Sequence, residues 1–243
     1  MGRVKVLGVN GSPRSYGNTF KMLWLALRGA EDQGAETRLI HLYDYHLEPC
    51  MACYSDNLYE CYFPKACPLH ERGDRFRELA EAVLWADAVV FATPVYWFMA
   101  SGKLKTFIDR LTALENMIYH VERSLLDGKV AGVIAAGEEA GAANALSWLL
   151  LTLNMMGFHV PAWGSAYYHG RGDVLENEQA TLDAYNVGVA VVRLARALRG
   201  EPAGSEPWYK LNVKERVAEL VKELRCVVEG EREKARSRRP WLL

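Results

Sequence analysis

At 243 residues, half of them apolar and 24% charged, the chain has the composition of one large globular domain or of one domain carrying an insertion. A formal net charge of −1 excludes a general electrostatic pull toward nucleic acid or an anionic membrane. The longest apolar stretch, residues 146–158, is broken by Ser147, Thr152, Asn154 and Gly157 and falls short of the roughly 20 apolar residues that a membrane span needs.

The chain opens Met1-Gly2-Arg3 and enters an apolar run at once, which reads as no secretory signal and sets the expectation of a soluble, cytoplasmic protein. Val4-Lys5-Val6-Leu7-Gly8-Val9-Asn10 reads as a buried strand. Behind it come Gly11-Ser12-Pro13-Arg14-Ser15-Tyr16-Gly17-Asn18-Thr19 and then Phe20, Leu23, Trp24 and Leu27, spaced for one buried face of a helix. A strand, a glycine-containing turn and a helix start, with its unpaired N–H donors and partial positive charge, make an anion site. Taken alone, Gly11 and Gly17 could equally be turn residues, and Asn18 or Thr19 a helix N-cap.

Residues 36–42 read as a second strand. Residues 43–74 are rich in Tyr, Pro and Cys, too long for an ordinary connection, and read as an inserted loop with its own job. A helix is expected over 74–86 and a continuous apolar strand over 88–92, ending at Thr93-Pro94-Val95-Tyr96-Trp97. The next helix buries Leu104, Phe107, Ile108 and Leu111. Asp127-Gly128 signals a turn before a fourth strand over 129–136, which ends at Gly137-Glu138-Glu139. A helix over 142–156, apolar on nearly every side, is expected to be buried or to pack on another subunit. A fifth strand is expected over 159–164 and a long helix over 177–199. Residues 200–207 read as a linker, and a last helix carries Val213, Val217, Leu220, Val221, Leu224 and Val228. Lys234, Arg236, Arg238 and Arg239 read as a solvated end.

Five short apolar strands alternating with helices imply a parallel sheet covered on both faces, with ligands beyond the carboxyl ends of its strands. Three of those ends, 11–19, 94–97 and 137–139, are expected to meet in one crevice. The ligand is not a nucleoside triphosphate of the P-loop kind: five residues rather than four separate Gly11 from Gly17, and Asn18 stands where the lysine belongs. A G-x-G-x-x-G dinucleotide fingerprint is absent, and the opening loop has no cysteine for a C-x5-R phosphatase. What remains is a cradle for one phosphate: Ser12, Ser15, Asn18 and Thr19 as side-chain donors, Arg14 as charge, and backbone amides around Pro13 and Gly17. Tyr96 and Trp97, behind Pro94 and Val95, form a flat ledge for a ring system, unless they are core aromatics. A monophosphate and a stacked ring together describe flavin mononucleotide (FMN).

Gly11-Ser12-Pro13-Arg14 with Gly17-Asn18-Thr19, followed by Thr93-Pro94-Val95-Tyr96-Trp97, Leu104-Lys105 and Phe107-Ile108-Asp109-Arg110, resembles the NAD(P)H-dependent FMN reductase and iron–sulfur flavoprotein family, over about residues 4–165. The resemblance implies a flavodoxin-like α/β fold, a doubly wound five-stranded parallel sheet, over residues 1–199, with 200–243 as a helical extension. It implies bound FMN, NAD(P)H as electron donor, a small-molecule or protein acceptor, and a homodimer or homotetramer. By residue it implies phosphate contacts from Ser12, Arg14, Asn18 and Thr19, and flavin contacts from Pro94, Val95, Tyr96, Trp97, Gly137 and Glu138. Glu138 and Glu139 are equally read as helix-start charges, and Asp109 and Arg110 as a helix-stabilising or interface pair.

Four of the five cysteines, Cys50, Cys53, Cys61 and Cys67, lie in the insert, spaced C-x2-C-x7-C-x5-C. Iron–sulfur flavoproteins carry a compact four-cysteine cluster site in this place; here the first pair fits and the third cysteine comes five residues late. The four thiols suit a 4Fe-4S cluster first, then zinc, and after these two disulfides or free thiols. His70 reads as a surface residue and Cys226 as a buried helix residue. The chemistry expected is redox, carried by the flavin, with no side chain demanded as acid or base. A non-catalytic electron carrier and a zinc-braced binding module are the rival classes.

Overall fold

The computed structural model describes residues 2–65, 67–201 and 206–238. Along the chain run β1 (Lys5–Asn10), α1 (Asn18–Asp32), β2 (Glu36–His41), α2 (Phe76–Trp85), β3 (Ala88–Tyr96), β4 (Met99–Ala100), α3 (Gly102–Arg110) and the short turns α4 (Thr112–Glu115) and α5 (Ile118–Val121). β5 (Val130–Gly137), α6 (Ala142–Met155), β6 (Ser165–His169), α7 (Glu178–Leu198) and α8 (Lys214–Arg238) complete it. Among the described residues between β2 and α2 the chain makes only short 3-10 turns, as expected of an insert. Among the described residues no helix is long and apolar enough to cross a membrane.

Five parallel strands lie in the order β2-β1-β3-β5-β6, and β4 adds a short antiparallel pair to the end of β3. Side chains alternate between the two faces along each strand. Val6, Val90 and Ile134 join the core beneath α1 and α7, while Leu7, Val89, Phe91 and Val133 join the core beneath α2, α3 and α6. The strand order reverses between β1 and β3, and such a switch point opens a crevice beyond the carboxyl ends of those two strands.

α1 and α7 cross backbone to backbone. A Cβ on Gly188 would lie 1.8 Å from the Ala26 carbonyl oxygen, and one on Gly29 would lie 2.2 Å from that of Tyr185. Val217, Leu220, Leu224 and Val228 of α8 are buried in the same core, so the C-terminal extension docks back onto the sheet domain.

Several expectations need correction. The fifth strand is Ser165–His169 rather than 159–164. His159 makes one isolated bridge to Val130, after which Pro161 offers no N–H to a ladder and a turn closes with Gly164 N–H donating to Pro161 O (3.1 Å). Pairing resumes at Ser165, with Ala166 and Tyr168 facing inward. β3 runs through the stretch expected to be a loop, as far as Tyr96. Within this chain α6 is buried on one side only, at Ala145, Leu149 and Leu153, and turns Leu151 and Met155 outward, which leaves packing on another subunit as the part of that expectation still open to it. Cys226 is exposed rather than buried, because the buried stripe of α8 falls on Leu224 and Val228. Lys234 and Arg236 of the basic end are exposed on α8, while Arg239 and half of the expected linker, residues 202–205, lie outside the described residues.

Candidate functional site

The turn after β1 is built on Gly11. Its N–H donates to Ala92 O (2.8 Å), its carbonyl accepts from the Ser101 hydroxyl (2.7 Å), and a Cβ would come within 2.9 Å of Leu104 and 3.0 Å of Ala92 O. Only glycine lets this loop lie so close to the end of β3 and the start of α3. Buried Asn10 accepts from the Ser12 N–H (3.1 Å), and the Ser12 hydroxyl accepts from the Arg14 N–H (3.1 Å), which leaves the Ser12 O–H proton free to be donated. Gly17 occupies the N-cap of α1 with no side-chain cap, so the helix start keeps N–H donors for a ligand. Thr19 is buried there, and the Arg14 guanidinium is exposed without a hydrogen bond or ion pair among the described residues.

Asn18 behaves differently from the expectation. Its amide donates to Gly172 O (2.9 Å) and accepts from Val174 N–H (3.2 Å), so the side chain clasps the β6–α7 loop and only its backbone faces the anion site. One turn on, buried Lys21 pairs with Asp173 of that same loop at 2.7 Å. Burial pushes the Lys21 ammonium below its ordinary value against the pull of Asp173. Burial would raise Asp173 too, but the bond from Lys21 and the Leu175 N–H outweigh it and hold the carboxyl low. Ser15 lies against Glu231 of α8. Burial favours the neutral form of Glu231, yet Lys234 and the Ser15 hydroxyl outweigh it and hold the carboxyl low.

The second loop is a hairpin. Val95 pairs with Ala100 and Tyr96 with Met99, leaving Trp97 and Phe98 as the two turn residues at φ 50° and 67°. Such turns favour Asn-Gly, and two bulky residues in the left-handed region cost on the order of 1–3 kcal/mol each. The result is a Trp97 side chain 91% exposed beside a Tyr96 that is 43% exposed, so these are not core aromatics. Pro94 is buried beneath them and Val95 is half-buried.

The third loop closes on the second. A Cβ on Gly137 would meet Val95 at 3.0 Å, and one on Gly141, at φ +89°, would meet the Phe98 Cα at 2.5 Å. Glu138 and Glu139 instead form exposed ion pairs with Arg171 at 3.0 and 2.8 Å. His169, unmarked in the sequence, accepts the Ala142 N–H at Nε2 (2.9 Å) and so caps α6. The three expected strand ends therefore meet at the β1/β3 switch point. Replacing Gly141 with Ala is expected to force Phe98 and the ledge to move and to weaken flavin binding about tenfold or more; an FMN titration of G141A checks this, with circular dichroism confirming the fold.

The four insert cysteines are half-buried free thiols lining one cavity of about 80 Å³, together with Asp74, Phe76 and Arg110. Burial first, and then the neighbouring Cys50, Cys67 and Cys53, push the Cys61 thiol up to about 11, with Arg110 opposing. Among the described residues no three His, Cys, Asp or Glu side chains are grouped so as to hold a metal ion. Four thiols around one cavity are a donor set of the kind that iron–sulfur clusters and zinc both use.

Sequence reasoning missed what holds this insert. Buried Asn116 donates to both Leu58 O and Cys61 O at 2.6 Å. Arg110 forms no pair with Asp109, which bonds Lys105 one turn back (2.6 Å) as a helix-stabilising contact. Arg110 reaches Asp74 instead, 36 residues away.

The model of the NADPH-dependent FMN reductase family matches residues 4–170. The chain belongs to that family. The family match runs from ahead of β1 to the end of β6, so it includes the cysteine insert, while α7 and α8 lie beyond it. An iron–sulfur flavoprotein of Archaeoglobus fulgidus is 34% identical over 131 residues, covering 54% of this chain and 53% of that protein, so the chain spans about half the length of that relative. One of Methanocaldococcus jannaschii is 27% identical over 209 residues, covering 81% of this chain and 100% of the relative. Among solved structures, RosB with a bound 8-demethyl-8-formylriboflavin-5′-phosphate intermediate is similar in fold, with TM-score 0.68, 23% identity, and 90% and 87% of the two chains covered. An archaeal flavodoxin aligns at TM-score 0.51 and 13% identity over 81% of this chain and 99% of that one.

Proposed function

We propose that the protein is an FMN-dependent oxidoreductase that takes electrons from NAD(P)H and delivers them to a flavin, quinone or other acceptor, with a 4Fe-4S cluster on Cys50, Cys53, Cys61 and Cys67. The observation that carries the reading is the meeting of the Gly11–Gly17 turn and the Tyr96–Trp97 ledge at the β1/β3 switch point. Ser12, the uncapped start of α1 and Arg14 would hold the phosphate, the last as an exposed countercharge. Tyr96 and Trp97 would take the ring system, with Val95 and Gly137 at its edge. Bound there, FMN supplies hydride-accepting chemistry and the cluster one-electron transfer, while the protein supplies position and electrostatics. Trp97 leaves a broad apolar face open to a nicotinamide, and no side chain is required to move a proton.

Anaerobically purified protein is expected to carry flavin absorbance, iron and acid-labile sulfide, and to oxidise NAD(P)H when an acceptor is added. Bound FMN with negligible NAD(P)H oxidation would make it an electron carrier; stoichiometric zinc would remove the cluster. Cys61→Ser is expected to lose most of its iron and to keep its FMN affinity, because the two sites hang on opposite ends of α3; iron analysis beside an FMN titration reads both.

A further inference from the structure

The cysteine cavity contains one fully engaged charge pair. Asp74 and Arg110 have side chains 2% and 4% exposed, and both line the cavity with the four thiols. Arg110 Nη1 donates to Asp74 Oδ2 (2.7 Å) and to Glu48 O (3.0 Å), and Nη2 donates to Asp74 Oδ1 (2.9 Å). Asp74 also accepts from Glu48 N–H (2.7 Å) and Phe76 N–H (3.0 Å). Both backbone groups of Glu48, two residues before Cys50, are thus gripped by the pair, and the two ends of the insert are drawn together at its base. The guanidinium lies 4.7 Å over the Phe76 ring, which fixes its plane.

A buried ion pair is weak as a stabilising device, since desolvation cancels most of its attraction, so its presence here asks for a local reason. α3 supplies the context. Its N-cap Ser101 bonds the phosphate turn through Gly11 O, and nine residues on, about 13 Å along the axis, it ends at Arg110.

We propose that the Asp74–Arg110 pair is the positioning device of the four-thiol site: it presents the Cys50–Cys53 backbone to the cavity and places a fixed positive charge beside the thiolates. The inference rests on reading that cavity as a cluster site. A cluster held by four thiolates is an anion whose charge grows on reduction. A guanidinium at its edge therefore favours both its retention and its reduced form.

The test compares the full-length wild type, Arg110→Lys, and the double variant Asp74→Asn/Arg110→Gln, which removes both charges without stranding either. Each is loaded anaerobically with iron and sulfide, then challenged with a chelator and titrated for its reduction potential. FMN affinity serves as the control for folding. The double variant is expected to bind FMN normally, to hold iron about 10- to 100-fold more weakly and to show a lower potential. Arg110→Lys keeps the charge but not the bidentate fork, and is expected to hold iron more weakly at a potential near that of the wild type. A double variant with wild-type iron retention and potential overturns the proposal. Should the double variant fail to bind FMN, Arg110→Lys decides, and wild-type retention in it is fatal. Failure of the underlying reading shows separately, in a wild type that takes up no iron and sulfide.

Discussion

Gly188→Ala is expected to destabilise the fold by about 3 kcal/mol, the upper end of what overpacking costs. The methyl would sit 1.8 Å from the Ala26 carbonyl oxygen and 2.8 Å from Ala30 N, which are backbone atoms that no rotamer change can move. Relief requires α1 and α7 to separate, and α1 begins at the anion site, so FMN affinity is expected to fall with stability. Urea unfolding and an FMN titration of G188A measure the two losses. Gly230→Ala in α8 is the matched control: no atom lies within 4 Å of its Cβ, and alanine is the better helix former by about 1 kcal/mol, so this variant is expected to be as stable as the wild type or more so. Wild-type stability in G188A would mean that the two helices do not meet backbone to backbone.

Arg110→Ala is expected to cost about 3–5 kcal/mol at neutral pH, the price of leaving one partner of a buried pair uncompensated. Asp74 would keep only the Glu48 and Phe76 N–H donors for a carboxylate that is 2% exposed. The pH dependence has a definite sign. In the wild type, burial favours the neutral acid, but the Arg110 bonds, the two backbone N–H groups and the Arg110 charge outweigh it and hold Asp74 below the usual carboxylate value. A carboxyl depressed in the folded state contributes stability that is complete above its unfolded value and is lost as pH falls through its folded value. The gap between wild type and R110A is therefore expected to be widest near neutrality and to close toward acid. Urea midpoints across that range check it; a gap that stays constant with pH would mean that Asp74 is not ionised against Arg110.

Much of the proposed site is legible in the sequence because it rests on short-range chemistry. Gly11 and Gly17 mark a backbone that must turn tightly ahead of a helix, and the absence of a lysine at Asn18 excludes the triphosphate alternative. The period of the apolar residues assigns β1 and β5 to within one residue at each end and gives the start of β3, whose last four residues read as loop. The spacing places the fifth strand at 159–164, where His159 does bridge Val130, but Pro161 interrupts the ladder and pairing resumes only at Ser165. The sequence points Asn18 at the phosphate because a side-chain amide at a helix start is a good donor. Its partners, Gly172 and Val174, lie more than 150 residues away, where no local pattern could reveal them.

The amino-acid sequence by itself determined the parallel α/β architecture, the anion turn, the aromatic ledge and the four-thiol insert. Each of these follows from residue type at close spacing, where sterics, periodicity and donor chemistry act locally. Only the tertiary structure decided which groups share a site. The strand order brings the β1 and β3 turns together, and Gly141 packs against Phe98 to hold the ledge. Arg110 turns away from its neighbour Asp109 toward Asp74, because burial makes a bidentate carboxylate partner worth more than a solvated one. Those are contacts between distant segments, and their energies exist only once the chain has closed on itself.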